Sequence, residues 1–331
     1  MNKPTVSILI PCYNAERHIR EAVESCLNQD YENIEVIVVS DGSTDNSIDI
    51  LRSFKDKRLK TLQQRNQGAS AARNNAYSCA KGKYIQFLDS DDLLSESKIS
   101  SQVEMLEKEK TGIVAISGTV YFQDHENPES GRLADQWPHV DSDNPIAWLI
   151  ELLGPESGSM VQTGAWLTPR SITDKIGPWD LSICPTPIDD GEYFSRVVLA
   201  SCGIRKSANG VNFYRQYRSH KGLSAQCSSA FAWGHFRSLK KMETNLYAFT
   251  DDIRAKKAFA RLYKDLAFRS YPTCPDVAKA ALQQAKNLGY GDFSPVFPTK
   301  LGRFLCAFLG WKPAKKLNYI YHKIKETFER K

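Results

Sequence analysis

The stretch Lys83-Tyr84-Ile85-Gln86-Phe87-Leu88-Asp89-Ser90-Asp91-Asp92 decides the fold of this chain. Its apolar run is typical of a buried strand, and three acids within four residues end it. Carboxylates at the end of a strand predict a site for a divalent cation that carries a phosphate-rich ligand, because Mg²⁺ is usually held by one or two carboxylates plus substrate phosphates. The alternative is a solvated turn in which an Asp caps the next helix.

The same stretch belongs to a series of alternating strand and helix patterns. This alternation predicts a three-layer α/β/α sandwich with a mostly parallel central sheet. The predicted order is strand Thr5–Ile10, helix Ala15–Gln29, strand Ile34–Val39, helix Ser43–Phe54, strand Leu59–Gln63, helix Gly68–Ala80, strand Tyr84–Leu88, helix Leu93–Lys108 and strand Ile113–Phe122. Ligands of such sheets bind outside the carboxyl ends of the strands, so the loops Pro11–Asn14, Ser40–Ser43 and Asp89–Asp92 should line one crevice.

The remaining sequence predicts an acceptor half over residues 123–230 and a helical C-terminal region over residues 231–331. The first of these begins with an irregular, proline-containing segment with a short helix near Ile146–Leu153. The acceptor half and the nucleotide-binding half, residues 1–122, together form a predicted catalytic domain over residues 1–230. The boundary near position 230 depends on a change to a continuous helical pattern, which runs to about Leu288.

Charge and cysteine content narrow the function classes. Of the net charge of +6, +7 lies after position 299, so residues 1–299 carry about −1. A nearly neutral body argues against a nucleic-acid binder and makes the basic tail, residues 299–331, a separate surface. The eight cysteines form no Cys-x-x-Cys pair, and no apolar run reaches the ~20 residues of a membrane span. A cytoplasmic protein with reduced thiols is the expectation.

Four motifs in order resemble those of family 2 glycosyltransferases. They are Val6–Asn14, Val38–Asp45, Asn66–Asn74 and Gly82–Asp92. The resemblance implies a GT-A fold and inverting transfer of a sugar from a nucleotide sugar, most often a UDP-sugar, with Mg²⁺ or Mn²⁺. It becomes weaker after residue 92 and extends to about residue 225.

The resemblance assigns donor-binding residues to the first three motifs. Pro11, Tyr13 and Asn14 would contact the nucleotide, and Tyr13 could instead be a packing residue. Asp41 would accept a hydrogen bond from the base or the ribose, although Ser40 stands where the family usually has Asp. The nearby Asp45 is expected to cap a helix.

The third and fourth motifs supply charged groups. The guanidinium of Arg73 can donate two hydrogen bonds to phosphate, or it can form a structural ion pair. Asp91 would bind the metal directly, whereas Asp89 and Ser90 would contact the ribose or a water on the metal. Asp92 would cap a helix or lie behind the site. His220, in Tyr217–Ser224, would reach the metal or the diphosphate, or would be a solvent-facing loop residue.

A base for the acceptor hydroxyl is predicted in the motif Ile188–Val198. Asp190 matches the family's catalytic base, and Asp189 stands in the preceding acidic position. Because a helix N-terminus stabilises a carboxylate, Asp190 should be ionised. Simple helix capping is the alternative. Upstream, Trp179 in Gly177–Asp180 is either a platform for an acceptor sugar or a core residue.

The tail contains an amphipathic segment in which Leu301, Phe304, Leu305, Phe308 and Leu309 share one helical face. With its basic flanks it fits an interfacial helix on an anionic membrane, and a helix packed on the catalytic body is the equal alternative.

The sequence thus predicts a metal-dependent inverting glycosyltransferase of polysaccharide, glycolipid or cell-envelope biosynthesis. Its acceptor is a saccharide or a lipid-linked saccharide, and its location is cytoplasmic or peripheral at the inner face of a membrane. Two alternatives stay open. A sugar nucleotidyltransferase would need a basic, Gly-rich loop after the first strand, which Pro11–Asn14 is not. A non-catalytic nucleotide-sugar-binding subunit is separated from an enzyme only by Asp190.

Overall fold

The first half of the sheet is parallel and is built by the amino-terminal third of the chain. The computed structural model describes residues 5–134, 140–155, 161–217 and 228–329. Strands β1 (Val6–Cys12), β2 (Ile34–Asp41), β3 (Leu59–Gln64) and β4 (Tyr84–Phe87) alternate with helices α1 (Ile19–Leu27), α2 (Ser47–Ser53) and α3 (Ala69–Cys79). The strands lie in the order β3-β2-β1-β4 and all pair in parallel. Their carboxyl ends therefore meet at one edge, as predicted.

The second half of the sheet is mixed. Its elements are β5 (Leu93–Leu94), α4 (Lys98–Lys108), β6 (Ile113–Gln123), β7 (Arg132–Leu133), α5 (Pro145–Leu153), β8 (Trp166–Pro169), α6 (Arg170–Ile176), α7 (Asp189–Ala200) and β9 (Gly203–Gln216). The sheet continues from β4 through β8, β6 and β9 to β5. Strand β8 is antiparallel to both of its neighbours, β4 and β6, whereas β6 and β9 are parallel to each other. The short strand β5 pairs with β9, and β7 pairs with β6, both in antiparallel fashion.

Three predicted helix starts are wrong. Helix α1 begins at Ile19 rather than Ala15. Leu93 and Leu94 are not the first turn of a helix, because they pair with Phe213 and Asn212 as strand β5, and α4 begins only at Lys98. Helix α2 begins at Ser47 rather than Ser43. Asp45, the expected cap, lies one residue before the N-cap Asn46, and its carboxylate accepts hydrogen bonds from the backbone N–H groups of Ser47 and Glu16.

Helices form the rest of the described chain: α8 (Ser229–Tyr247), α9 (Ile253–Ser270), α10 (Pro275–Asn287), α11 (Lys300–Leu309) and α12 (Trp311–Glu329). One hydrophobic cluster includes Leu9 and Phe87 of the sheet, Phe194 of α7, Tyr263 of α9 and Ala281 of α10. The core thus continues across position 230, where α8 packs against α7 and α9 packs against α5. Among the residues described, none of the helices combines the length and the apolarity that crossing a bilayer requires.

Candidate active site

The turn after β2 organises the floor of the crevice. The carboxylate of Asp41 accepts hydrogen bonds from Gln64 Nε2 (2.8 Å), Gln67 N (2.9 Å) and Gly68 N (2.8 Å). These bonds fix the loop that precedes α3. Gly42 has a φ of 72°, and a Cβ atom at this position would lie 2.8 Å from the backbone nitrogen of Asn66. Only glycine fits this turn, and Asp41 keeps little acceptor capacity for a base.

The loop after β1 places an aromatic ring in solvent. Tyr13 is 53% exposed, so the packing alternative for this side chain is wrong. Asn14 adopts a positive φ of 48°, and its Oδ1 accepts a hydrogen bond from the backbone N–H of Thr44 at 2.8 Å. This bond ties the β1 loop to the β2 loop. Pro11 is buried in β1 opposite Val39, so in this loop only the residues after it reach the surface.

Arg73 joins the two acidic loops. Its Nη2 donates to Asp89 Oδ1 at 2.7 Å, and its Nη1 donates to Asp189 Oδ2 at 2.8 Å. The guanidinium is buried, and the charges of both carboxylates outweigh the burial and raise its pKa. The ion-pair alternative is therefore the one observed. One cation brings together segments that lie a hundred residues apart in the sequence.

Trp179 supports this cation and is not a sugar platform. It is only 2% exposed and stacks on Tyr193 with ring centroids 4.2 Å apart. The guanidinium carbon of Arg73 lies 4.3 Å from the centroid of the Trp179 ring. Both faces of the indole are thus occupied within the protein, and of the two interpretations of Trp179 the core one is correct.

The acidic loop after β4 is clamped by the end of β9. Tyr217 donates its hydroxyl to Asp91 Oδ2 at 2.7 Å, and the backbone N–H of Arg215 donates to Asp92 Oδ1 at 2.9 Å. Burial and the charge of Asp89 raise the pKa of Asp91, and burial raises that of Asp92 well above its usual range. The helix-cap prediction for Asp92 is wrong, because α4 starts six residues later and Asp92 holds β9 instead. Ser90 lies half-buried between the carboxylates.

Sequence reasoning missed Arg215, the second buried cation of the site. Its Nε donates to the backbone oxygen of Asp91 at 2.8 Å, and its Nη2 donates to Glu21 Oε2 at 2.8 Å. It also pairs with Asp124, which lies 3.2 Å from His18 Nε2. The sequence signal that could have revealed Arg215 is its position directly after two aromatic residues, Phe213 and Tyr214, in strand β9. His220, the predicted metal-reaching residue, lies outside the described residues.

The acidic loop fits a hard divalent cation with few protein ligands. The described residues contain no cluster of three His, Cys, Asp or Glu side chains that could hold a metal ion. Asp89 and Asp91 each give one oxygen to a protein donor, Arg73 or Tyr217, and each keeps a second oxygen. Two such carboxylates suffice for Mg²⁺ or Mn²⁺, since these ions complete their shells with water and phosphate oxygens.

Asp190 lies at the first turn of α7, beside an apolar cavity. The cavity is small, with a volume of about 20 Å³, and its apolar side is lined by Leu149, Phe194 and Met242, among others. Burial, followed by the charge of Asp189, raises the pKa of Asp190 to about 7. The expectation that the helix N-terminus keeps this carboxyl fully ionised is therefore wrong. A carboxyl that titrates near neutral pH can take up a proton and release it again.

Asp189 serves the architecture of the site. Its Oδ2 accepts hydrogen bonds from Ser70 Oγ at 2.6 Å and from Arg73, and its Oδ1 accepts one from the backbone N–H of Asp190. Ser70 and Arg73 both lie on α3. These hydrogen bonds hold the start of α7 against α3.

Solved structures share this arrangement of sheet and helices. S. aureus TarS in complex with UDP superposes with a TM-score of 0.60 over 87% of this chain and 89% of that chain, at 16% identity. The mannosyltransferase PcManGT from Pyrobaculum calidifontis, in complex with GDP-Man and Mn²⁺, gives a TM-score of 0.55 over 100% of this chain and 89% of that chain, also at 16% identity. These likenesses show the fold, which is the predicted GT-A fold of glycosyltransferases.

Sequence relatives lead to the same class. The UDP-Glc:alpha-D-GlcNAc-diphosphoundecaprenol beta-1,3-glucosyltransferase WfaP of Escherichia coli is 47% identical over 219 residues, which are 66% of this chain and 78% of that protein. An uncharacterized glycosyltransferase of Haemophilus influenzae is 48% identical over 109 residues, 32% of this chain and 44% of that protein. The chain thus spans less than half of the Haemophilus relative. The family model described as Glycosyl transferase family 2 matches residues 7–175. The protein belongs to this family.

Proposed function

We propose that this protein is a metal-dependent inverting glycosyltransferase. It transfers a sugar from a UDP-sugar to a hydroxyl of a lipid-linked saccharide in the biosynthesis of an envelope glycan. The observation that carries the proposal is the double ion pair of Arg73. One ion pair holds Asp89, in the acidic loop of the cation site, and the other holds Asp189, which precedes the base Asp190. A donor diphosphate and an acceptor hydroxyl need these two groups side by side.

The donor side is formed by the loops after β1, β2 and β4. The exposed ring of Tyr13 is available to stack on a base, and Asn14 and Asp41 fix the loops that frame it. Uracil as the base is supported by the name of WfaP, which specifies UDP-Glc, and by the UDP complex of TarS. Asp91 and Asp89 would hold the Mg²⁺ or Mn²⁺ ion, which neutralises the charge of the diphosphate without proton transfer.

The acceptor side is organised around Asp190. Its carboxylate takes the proton of the acceptor hydroxyl, and the oxygen attacks the anomeric carbon on the side opposite the nucleotide. The new carbon–oxygen bond forms as the bond to the diphosphate breaks, so configuration inverts. A single base is sufficient, and a pKa near 7 suits it to neutral pH.

The lipid-linked acceptor is supported by the name of the relative WfaP, whose acceptor is a diphosphoundecaprenol-linked sugar. Such an acceptor is confined to a bilayer. We therefore place the enzyme on the inner surface of a membrane, as a peripheral protein.

The test combines calorimetry with turnover. Wild-type protein should bind a UDP-sugar only weakly without Mn²⁺, and Asp91→Ala should abolish the effect of the metal. Asp190→Asn should keep donor binding and lose transfer by about 10²–10⁴-fold, the usual contribution of a general base. Asp251→Asn, which changes an exposed carboxylate two residues before α9 begins, is the matched control. Normal turnover of Asp190→Asn would overturn the base assignment.

A further inference from the structure

Helix α11 exposes a row of large apolar side chains. Leu301, Phe304, Phe308 and Leu309 are between 51% and 75% exposed. At 100° per residue, these positions fall on one face of the helix. The ring centroids of Phe304 and Phe308 lie 4.6 Å apart on this face. Scattered surface hydrophobics are ordinary, but a continuous apolar face on one helix marks an interaction surface.

The other side of the same helix is fixed to the body. Gly302 is buried, and a Cβ atom there would lie 3.0 Å from the side chain of Phe297. At the start of α12, Ala314 is fully buried, and the Trp311 ring packs edge-on against Phe293 at 4.9 Å. The tail is therefore anchored on the body, and the apolar face of α11 points away from it. This rules out the interpretation in which that face packs on the catalytic body, as far as the described residues are concerned.

The positive charge of residues 300–321 indicates which kind of partner this surface binds. Between positions 300 and 321 the sequence has five basic residues and no acidic one: Lys300, Arg303, Lys312, Lys315 and Lys316. Lys312 and Lys316 are exposed. A second copy of this surface would meet like charges, whereas an anionic bilayer offers both apolar depth and negative headgroups. The ten residues of α11 are too few to span a bilayer, which needs ~20.

We propose that α11 lies in the surface of an anionic lipid bilayer, with Leu301, Phe304 and Phe308 inserted among the acyl chains. Lys312 and Lys316 of α12 contact the lipid headgroups. The inference goes beyond the proposed reaction, because it requires neither the donor nor the acceptor. It gives the protein a fixed orientation on the membrane, which a peripheral enzyme with a lipid-linked substrate needs.

The experiment is sedimentation of the full chain with vesicles of phosphatidylcholine alone, or of phosphatidylcholine with phosphatidylglycerol. Wild-type protein should pellet with the anionic vesicles, and binding should fall at high salt. Phe304→Asp combined with Phe308→Asp should abolish pelleting. Lys312→Gln with Lys316→Gln should weaken it by about fivefold per lysine removed.

Matched controls test whether vesicle binding depends on this surface or on any exposed apolar residue or lysine. Ile253→Asp changes a side chain that is 62% exposed on α9, and Lys257→Gln with Lys279→Gln removes two exposed lysines outside the tail. All should pellet like the wild type. The proposal is overturned if the wild type stays in the supernatant, if the Phe variants pellet normally, or if light scattering shows a dimer in solution that the Phe variants convert to a monomer. UDP-sugar binding, measured in parallel, shows whether each variant is folded, and failure of transfer would leave the vesicle result unchanged.

Discussion

Replacing Arg73 by methionine should destabilise the protein and separate the two acidic loops. Methionine keeps much of the side-chain volume beside Trp179 but removes the charge. Asp89 and Asp189 then lose donors at 2.7 and 2.8 Å, and both carboxylates stay close to Asp91 and Asp190 without a counter-charge. Carboxylates without a partner in a partly buried site must either take up protons or move apart into water.

The size of the effect follows from burial. Removing one partner of a buried ion pair costs about 3–5 kcal/mol. The Arg73 side chain is 6% exposed, but Asp89 is 33% exposed and can regain water, so we expect the lower end, about 3 kcal/mol. With an unfolding entropy of about 2.1 cal/mol/K per residue, the 331 residues give roughly 0.7 kcal/mol/K. The melting temperature should then fall by about 4 °C.

Thermal and urea unfolding of three variants test this estimate. Arg254→Met, which removes an exposed partner of Asp252, is the matched control and should melt like the wild type. Arg73→Met with Asp189→Asn should recover part of the loss, because one unpaired charge is gone. The reasoning is refuted if Arg73→Met melts together with Arg254→Met, or if the double variant is less stable than Arg73→Met alone.

Two further predictions concern the base and the β2 turn. Because Asp190 acts in its ionised form and its pKa is about 7, the transfer rate at pH 6 should be about one-tenth of the rate at pH 8. A rate that does not change over this range, measured at saturating donor and metal, would contradict the assignment. Gly42→Ala should destabilise by about 1–3 kcal/mol, since it adds both strain at positive φ and a clash with Asn66. Gly289→Ala, at a φ of 93° with open space around the new methyl group, should cost less in urea unfolding.

The parallel half of the sheet could be predicted because its signal is local. Apolar runs such as Ile34–Val39, separated by helical patterns, fix strand and helix identity without knowledge of the partner strands. Strand β5 could not be found in this way. Leu93 and Leu94 are paired with β9, more than a hundred residues later, and two leucines before a helical pattern look like its first turn. Pairing over such a distance overrides local propensity.

The candidate site shows the same limit at the level of side chains. The motifs identified Asp91, Arg73 and Asp190 as charged groups of the site, and the structure pairs the guanidinium with their neighbours Asp89 and Asp189. They did not reveal that Arg73 is already paired, that Trp179 lies beneath it, or that Arg215 holds the acidic loop from the other side. A motif specifies which residues are present. Which of these residues form ion pairs with one another depends on packing between elements that are distant in the sequence.

The pairing of Arg73 has a consequence for how the donor is held. The charge of this guanidinium is already matched by two carboxylates and its side chain is only 6% exposed, so it should attract a diphosphate weakly. In the proposed reaction, neutralisation of the diphosphate would therefore fall to a cation held by Asp89 and Asp91, where each carboxylate retains an oxygen. Donor affinity should accordingly depend on the metal much more than on any arginine. Arg73 instead holds the Asp89 and Asp189 loops together, which in the proposed reaction would fix the distance between the cation and Asp190 before the chemical step.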